Sequence, residues 1–450
     1  MPVADKLQAL LKHRRAWQKL DWTSKTAIDR VSLGGDKPRE HELVARIFAF
    51  EKNGPEIFSL AIQDLDQNPR PSLTHHTFSL DPGTYVTLTM DPTQDLLAII
   101  YPSGTGSESL NLVLRSLSTN QPHPMARRPT ILIDTDDEEE FATIQIADDV
   151  VGVSFGEPGV IRVLNWRTGV LLANVTELDA YQPAFQFLSP RAFVTASLSD
   201  SGMMDIFMIT PAQAPDRDGV VHVARLRFPE LAHSDGVLLW MRHRVSIYSS
   251  PVCGHPIQGS FSPGNDTRIY LFLCRLQSQE QETAHVRLMV HHRTLAEYVS
   301  RYVLEGRTEC IDLEWEDWGP ENTRILEGNR FDWLANAHGE HVAILGARSR
   351  QLQVLDFGVI PGDPANDPSE DDTLVFGPST VLEPFNDPIT TYLPFRRTLL
   401  DTGDYFNTIL MDHEHIIVAQ DNVHDFFWAP PARYLFVRMI QMSAMTVFKF

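Results

Sequence analysis

The feature that most constrains this chain is a unit of two short apolar runs that recurs along it. LLAIIY (96–101) is followed by LNLVLRSL (110–117), VVGVSF (150–155) by VIRVLNW (160–166), and FVTASL (193–198) by MDIFMI (204–209). The pairing continues with IYLFLC (269–274) and HVRLMV (285–290), VAILGA (342–347) and LQVLDF (352–357), and IIVAQ (416–420) and DFFW (425–428). Runs that stay apolar without strict alternation read as strands covered on both faces. Ala98, Gly152, Ala196, Ala343, Gly346 and Ala419 lie within them, small residues that suit places where neighbouring sheets crowd together. Parallel α/β folds also cover strands on both faces, but they need a crossover helix between consecutive strands. Here the gaps within units are short, and several are rich in Pro, Gly, Asp and Ser.

The units start about 45 to 75 residues apart, a repeat length that radial stacking of four-stranded sheets accommodates while leaving few exposed edges. The expected fold class is therefore all-β: a β-propeller of six to eight blades, with seven the best fit, over residues 31–450. A pair of β-sandwiches is the structural alternative. Residues 1–30 are assigned to an N-terminal basic helix and linker. Within 4–20, Leu7, Leu10, Leu11, Trp17 and Leu20 recur near helical spacing as a core-facing stripe, with Lys12, His13, Arg14 and Arg15 mostly outward. LVARIFAF (43–50), Asn53-Gly54 and EIFSLAI (56–62) predict a first hairpin. TLAEYVSRYV (294–303) fits a short helix or a strand.

A formal net charge of −21 repels phosphate backbones and makes nucleic acid an unlikely general partner. Cys253, Cys274 and Cys310 are odd in number and widely spaced, which predicts free thiols in a reducing compartment. The N-terminus is charged too early for a signal peptide, and no apolar run approaches a membrane span, so the expectation is an intracellular, cytoplasmic or nuclear protein with no membrane partner.

Few residue groups suggest chemistry. Asp134 and the run Asp136–Glu140 lack the glycine turn of a calcium loop and read as a solvated loop. In Asp412-His413-Glu414-His415 the two histidines would share one face of a strand, but no second ligand set accompanies them. His75-His76 and His291-His292 are adjacent pairs that a strand would point to opposite faces. Ser103-Gly104-Thr105-Gly106 lacks the lysine and helix of a phosphate cradle. Gly152-Val153-Ser154-Phe155-Gly156 matches a nucleophile-elbow string, yet the context is a hairpin, not strand–turn–helix. No catalytic, metal or cofactor-binding residue is assigned, no cofactor is expected, and binding residues remain unassigned.

Three stretches together resemble a known group. LPFRRT (393–398) leads to ILMDHEHIIVAQ (409–420), EDWGPENTRIL (316–326) precedes DWLANAHGEHVAIL (332–345), and LLKHRRAWQKLDW (10–22) stands before the first hairpin. This order resembles the F-box-type proteins of mushroom-forming fungi, over nearly the whole chain. In that family an F-box precedes the basic helix, whereas this chain starts at the helix. The resemblance implies the substrate-receptor region of a Skp–cullin–F-box ubiquitin ligase, without the part that would hold the Skp adaptor. Within the motif, Pro394 would rigidify the lead-in to a strand, and Arg396 or Arg397 would pair with Asp401 or Asp412. The function expected is thus a non-catalytic interaction module with a protein partner. The alternative is a propeller hydrolase or lyase with a polar or metal site in the central channel.

Overall fold

The computed structural model describes residues 2–29, 38–52, 56–61, 74–77, 86–104, 108–135, 142–156, 159–178, 184–197, 202–210, 219–234, 237–238, 240–255, 266–278, 283–328, 335–345, 350–359, 373–403, 406, 408–421, 424–428, 435–439 and 442–450. Among them, seven antiparallel sheets of four strands follow one another along the chain, two of them extended by a fifth strand. We number them blades 1 to 7, spanning 38–77, 87–134, 142–178, 184–227, 240–328, 335–401 and 408–449. The inner strands of neighbouring blades touch in sequence around a ring, the second strand of blade 5 meeting the first of blade 6, and blade 7 returns to blade 1. The protein is a seven-bladed β-propeller.

The core explains why the strands lack alternation. Seven apolar clusters fill the seven seams between neighbouring blades. Each blade is sandwiched between two others, so both faces of its middle strands are buried; all six residues of Val150–Phe155 are inaccessible. Where blades approach most closely, side chains must be small. A Cβ on Gly152 would lie 2.7 Å from the Phe185 ring of blade 4.

The ring closes through its ends. Ser24–Asp29 pairs antiparallel with Met442–Lys449 and forms the outer edge of blade 7, where the sequence predicted only a linker. Most predicted pairs are the second and third strands of a blade, hydrogen-bonded to each other as expected. The last pair is a correction. His415–Asp421, which contains IIVAQ, pairs with Met442–Lys449, while His424–Trp428 forms a separate hairpin with Leu435–Met439. LVARIFAF is likewise not one strand. Ala45 and Arg46, at φ 47° and 69°, turn the chain between Pro38–Val44 and Ile47–Lys52.

Helices serve as attachments. Helix α1 (Val3–Lys19) precedes the ring. Helices α2 (His292–Leu304) and α3 (Trp315–Asn322) lie between the third and fourth strands of blade 5, which decides the ambiguous 294–303 segment as helix. Between α2 and α3 the short strand Ile311–Leu313 adds in parallel to the outer edge of blade 4. Among the described residues no helix is long and apolar enough to cross a membrane.

Candidate binding face at one end of the channel

The turns joining the first and second strands of the blades gather on one face of the ring. In blade 7 that turn is Asp412-His413-Glu414, so His413 and His415 do not share a strand face as the sequence suggested: His413 is in the turn and His415 opens the next strand. The turn is built on Asp412. One carboxylate oxygen accepts the backbone N–H of Glu414 and of His415, each at 2.8 Å, and the His415 ring Nδ1 at 3.0 Å. The other oxygen accepts the Arg46 backbone N–H of blade 1 at 2.9 Å. Burial alone would raise the Asp412 pKa, but the His415 hydrogen bond and the surrounding donors outweigh it and hold the carboxyl well below its usual range. The Arg46 guanidinium also pairs with Glu414, so the two turns are clamped across the closing seam.

Helix α1 rests on this turn. The His413 carbonyl accepts from Trp17 Nε1 at 3.3 Å and lies 3.1 Å from His13 Nε2. The Trp17 indole is stacked between His341 of blade 6 and Phe450, with ring centroids 4.7 and 4.5 Å away. Arg14 donates to the Gly358 carbonyl, and the Gln18 carbonyl accepts from Thr398. His13 and Arg14, expected to face outward, thus fasten the helix to the ring. Burial lowers the pKa of His13, His341 and His413, and drives His338 down to about 4, so this histidine group is uncharged near neutrality. His338 and His413 lie with ring centroids 6.4 Å apart, and among the described residues both His413 ring nitrogens and the His338 Nε2 have no hydrogen-bond partner.

Among the described residues, the contacts of α1 with the ring come from its C-terminal half. Trp17 is buried, whereas Val3, Leu7, Leu10 and Leu11 are 83, 55, 46 and 45% exposed. The predicted core-facing stripe is therefore split: its last turn packs on blades 6 and 7, and its first turns run out into solvent.

The same end of the channel is crossed by a segment leaving blade 5. The Val252 carbonyl accepts the Asp148 N–H of blade 3 at 3.1 Å, and Gly254 N–H donates to Asp91 of blade 2 at 2.7 Å. Cys253 packs into the apolar seam between blades 1 and 2. Residues 249–255 thus reach from blade 5 to the opposite side of the ring.

The other sequence candidates do not converge here. Ser154 is wholly buried inside a strand, which is followed by Gly156 at φ 84° and another strand, so it occupies no nucleophile elbow. His291 ends a strand against Phe357, and His292 opens α2, where its Nδ1 lies 3.1 Å from the buried Arg268. Arg396 approaches Asp356 at 3.9 Å, in place of the expected Asp401 or Asp412. Most of the 134–140 run, the side chains of His75 and His76, and Thr105-Gly106 lie outside the described residues. Among the described residues no three His, Cys, Asp or Glu side chains are grouped to hold a metal ion. Sequence reading passed over His13, Arg46 and His338. The four-residue spacing of His13 and Trp17, which puts them on one helix face, was the one available signal.

No family model matches the chain, and no curated protein matches it. Among solved structures, Raptor from Chaetomium thermophilum is similar at 11% identity and a TM-score of 0.44, covering 95% of this chain and 29% of that one. The WD40 domain of Toxoplasma gondii coronin gives 9% and 0.42, covering 95% and 85%. The C-terminal WD40 domain of Sif2 gives 9% and 0.38, covering 95% and 97%. This chain thus spans less than a third of the Raptor chain.

Proposed function

We propose that this protein is a non-catalytic interaction module, in which the propeller holds α1 at one end and presents its other end to a protein partner. The observation that carries the reading is the split stripe. Val3, Leu7, Leu10 and Leu11 follow i, i+4, i+7 and i+8 spacing, the set of anchors a helix lays into an apolar groove. Ordinary helices of globular proteins bury that stripe, and an exposed apolar run continuous with a packed one reads as an interaction surface. Lys6, Lys12 and Arg15 on the same helix favour a groove with an acidic rim. The rigid scaffold supports this role, because a helix fixed at its base loses less freedom on docking than a free one.

The finer reading, a substrate receptor of a Skp–cullin–F-box ligase, rests on the motif resemblance alone. The experiment is affinity capture from source cells with the whole chain and a Leu7→Glu/Leu10→Glu variant, partners being quantified by mass spectrometry. A specific partner lost at least about tenfold in the variant, with an unchanged melting temperature, is the expected result. Undiminished capture overturns the helix as the docking element. Repeated absence of adaptor and cullin subunits overturns the ligase reading only.

A further inference from the structure

A cationic patch lies where blades 2 and 3 meet, on the face that holds α1. Residues 117–129 join the third strand of blade 2 (Ser109–Ser116) to its fourth (Thr130–Asp134). Residues 166–169 make the same connection in blade 3, between Gly159–Asn165 and Val170–Leu178. Both connections rest on the first turns of their blades. The Leu117 N–H donates to the Asp95 carbonyl at 2.8 Å, and Trp166 Nε1 donates to the Asp148 carbonyl at 2.7 Å.

The blade 2 connection is polar and long, yet it is pinned along its length. His123 is buried, its ring edge-on to that of the buried Trp166 with centroids 4.9 Å apart. The Met125 N–H donates to His123 Nδ1 at 3.3 Å, which makes Nδ1 the bare nitrogen and leaves Nε2 to donate to the Gln94 carbonyl at 3.1 Å. The Ala126 N–H donates to the His123 carbonyl, and the Arg127 N–H crosses to the Arg167 carbonyl of blade 3 at 2.9 Å. At the far end the Pro129 carbonyl accepts from the Leu114 N–H.

What this fixed connection presents to solvent is two arginines between apolar side chains. Met125 is 56% exposed, and Arg127 and Arg128 are exposed. The aliphatic stem of Arg128 lies across Gly169, where a Cβ would stand 3.0 Å from its Cδ. Val170, the next residue, is 52% exposed. Among the described residues neither guanidinium forms an ion pair or a side-chain hydrogen bond. That is unusual on a chain with 59 acidic and 38 basic residues, where Arg191, Arg225 and Arg227 each pair with an aspartate. The carboxylates of the adjoining turns are already engaged. Asp95 accepts from Ser116 and Ser118, Asp148 approaches Arg167 at 3.6 Å, and Asp149 holds Arg191. The acidic run of the sequence follows Asp134, at the other end of a five-residue strand and about 13 Å from Thr130.

We propose that this patch is a docking site for an extended acidic peptide that carries an apolar residue beside its carboxylates. Guanidinium groups match carboxylates in a planar, two-bonded geometry, and the unpaired Arg127 and Arg128 lack that counterpart within the protein. Met125 is flexible enough to cover apolar side chains of different shape. Because the connection is already fixed, little freedom is lost on docking. A short peptide also suits the net charge of −21, which repels a long polyanion from the surface around the patch. The site is separate from the exposed stripe of α1, whose base rests on blades 6 and 7.

The test pans a random dodecapeptide phage library on the whole protein, on an Arg127→Glu/Arg128→Glu variant and on the Leu7→Glu/Leu10→Glu variant. Wild-type protein and the leucine variant are expected to enrich the same peptides, rich in Asp or Glu with an adjoining apolar residue. A fluorescein-labelled synthetic copy of the leading peptide, followed by anisotropy, is expected to bind the arginine variant at least about tenfold more weakly at unchanged melting temperature, and to bind wild type more weakly as salt is raised. Should the charge reversal disturb folding, Arg127→Gln/Arg128→Gln is read in the same way. No enrichment of acidic residues, or equal affinity for a folded arginine variant, overturns the proposal. Peptides lost only in the leucine variant belong to α1 and also overturn it. Binding to phosphatidylserine vesicles that needs the two arginines, without acidic peptide enrichment, reassigns the patch to a membrane surface and overturns the peptide as occupant.

Discussion

Single residues decide how closely the blades approach. Gly152 faces the Phe185 and Phe187 rings of the next blade, with no room for a methyl group unless those rings move. Both rings are buried among other apolar side chains, so movement is resisted. Gly152→Val is expected to destabilise the fold by about 1–3 kcal/mol, the range for overpacked cores, read as a lower urea midpoint at unchanged slope. This glycine was legible as a small residue in a doubly covered strand. Asp412 was not legible in the same way. The string of acid and imidazole groups was only superficially like a metal site and was assigned no role, because sequence shows which groups are near each other but not which way they turn. In the fold Asp412 accepts turn N–H groups and His415, and its partner across the seam, Arg46, is 366 residues away in sequence.

At the scale of elements, α1 shows how one amphipathic stripe can serve two purposes. Its last turn is fixed by Trp17, which is 4% exposed, and its first turns are free. Trp17→Ala is expected to release the helix at a loss of about 3–5 kcal/mol in local stability, seen as faster trypsin cleavage after Lys12, Arg14 and Arg15. Leu10→Ala, at a solvated position, is expected to leave that cleavage unchanged, with a stability effect within about 0.5 kcal/mol. Helical periodicity identified the element. Which part of the stripe is covered depends on where the ring surface ends, and no local pattern encodes that. The strand Ser24–Asp29 was hidden for a related reason. Its sequence, SKTAID, is polar because an outermost strand needs little apolar surface, and its partner lies at the far end of the chain.

For the molecule as a whole, buried histidines set the response to acid. His291, His292 and His338 are each nearly inaccessible, and burial drives each down to about 4 from an ordinary value near 6.5. Between those values the unfolded chain binds protons that the folded chain refuses, so stability falls as pH falls from about 6.5 to 4. Asp412 does not contribute to that loss, since its carboxyl stays ionised in the fold until stronger acid. His222 acts in the opposite sense: raised to about 9, it adds stability that is full below about 6.5 and lost as pH rises through 9. Urea midpoints are expected to drop by a few kcal/mol equivalent from pH 7 to pH 4.5, with a shallower slope in His338→Gln. A slope unchanged in that variant would contradict the burial of His338.

Amino-acid order alone pointed to repeated strands covered on both faces, for which modules stacked in a ring were the favoured arrangement and a pair of β-sandwiches the alternative, because apolar runs without alternation must leave water on both sides. It also located the second and third strands of most blades, where the apolar signal is strongest. Only the tertiary structure decided which polar groups meet. The Asp412 turn, with its bond to Arg46, and its hold on α1 join residues from separate blades and a helix. Hydrophobic periodicity is a local property that burial imprints on each strand, whereas a hydrogen bond across a seam depends on the closure of the whole ring.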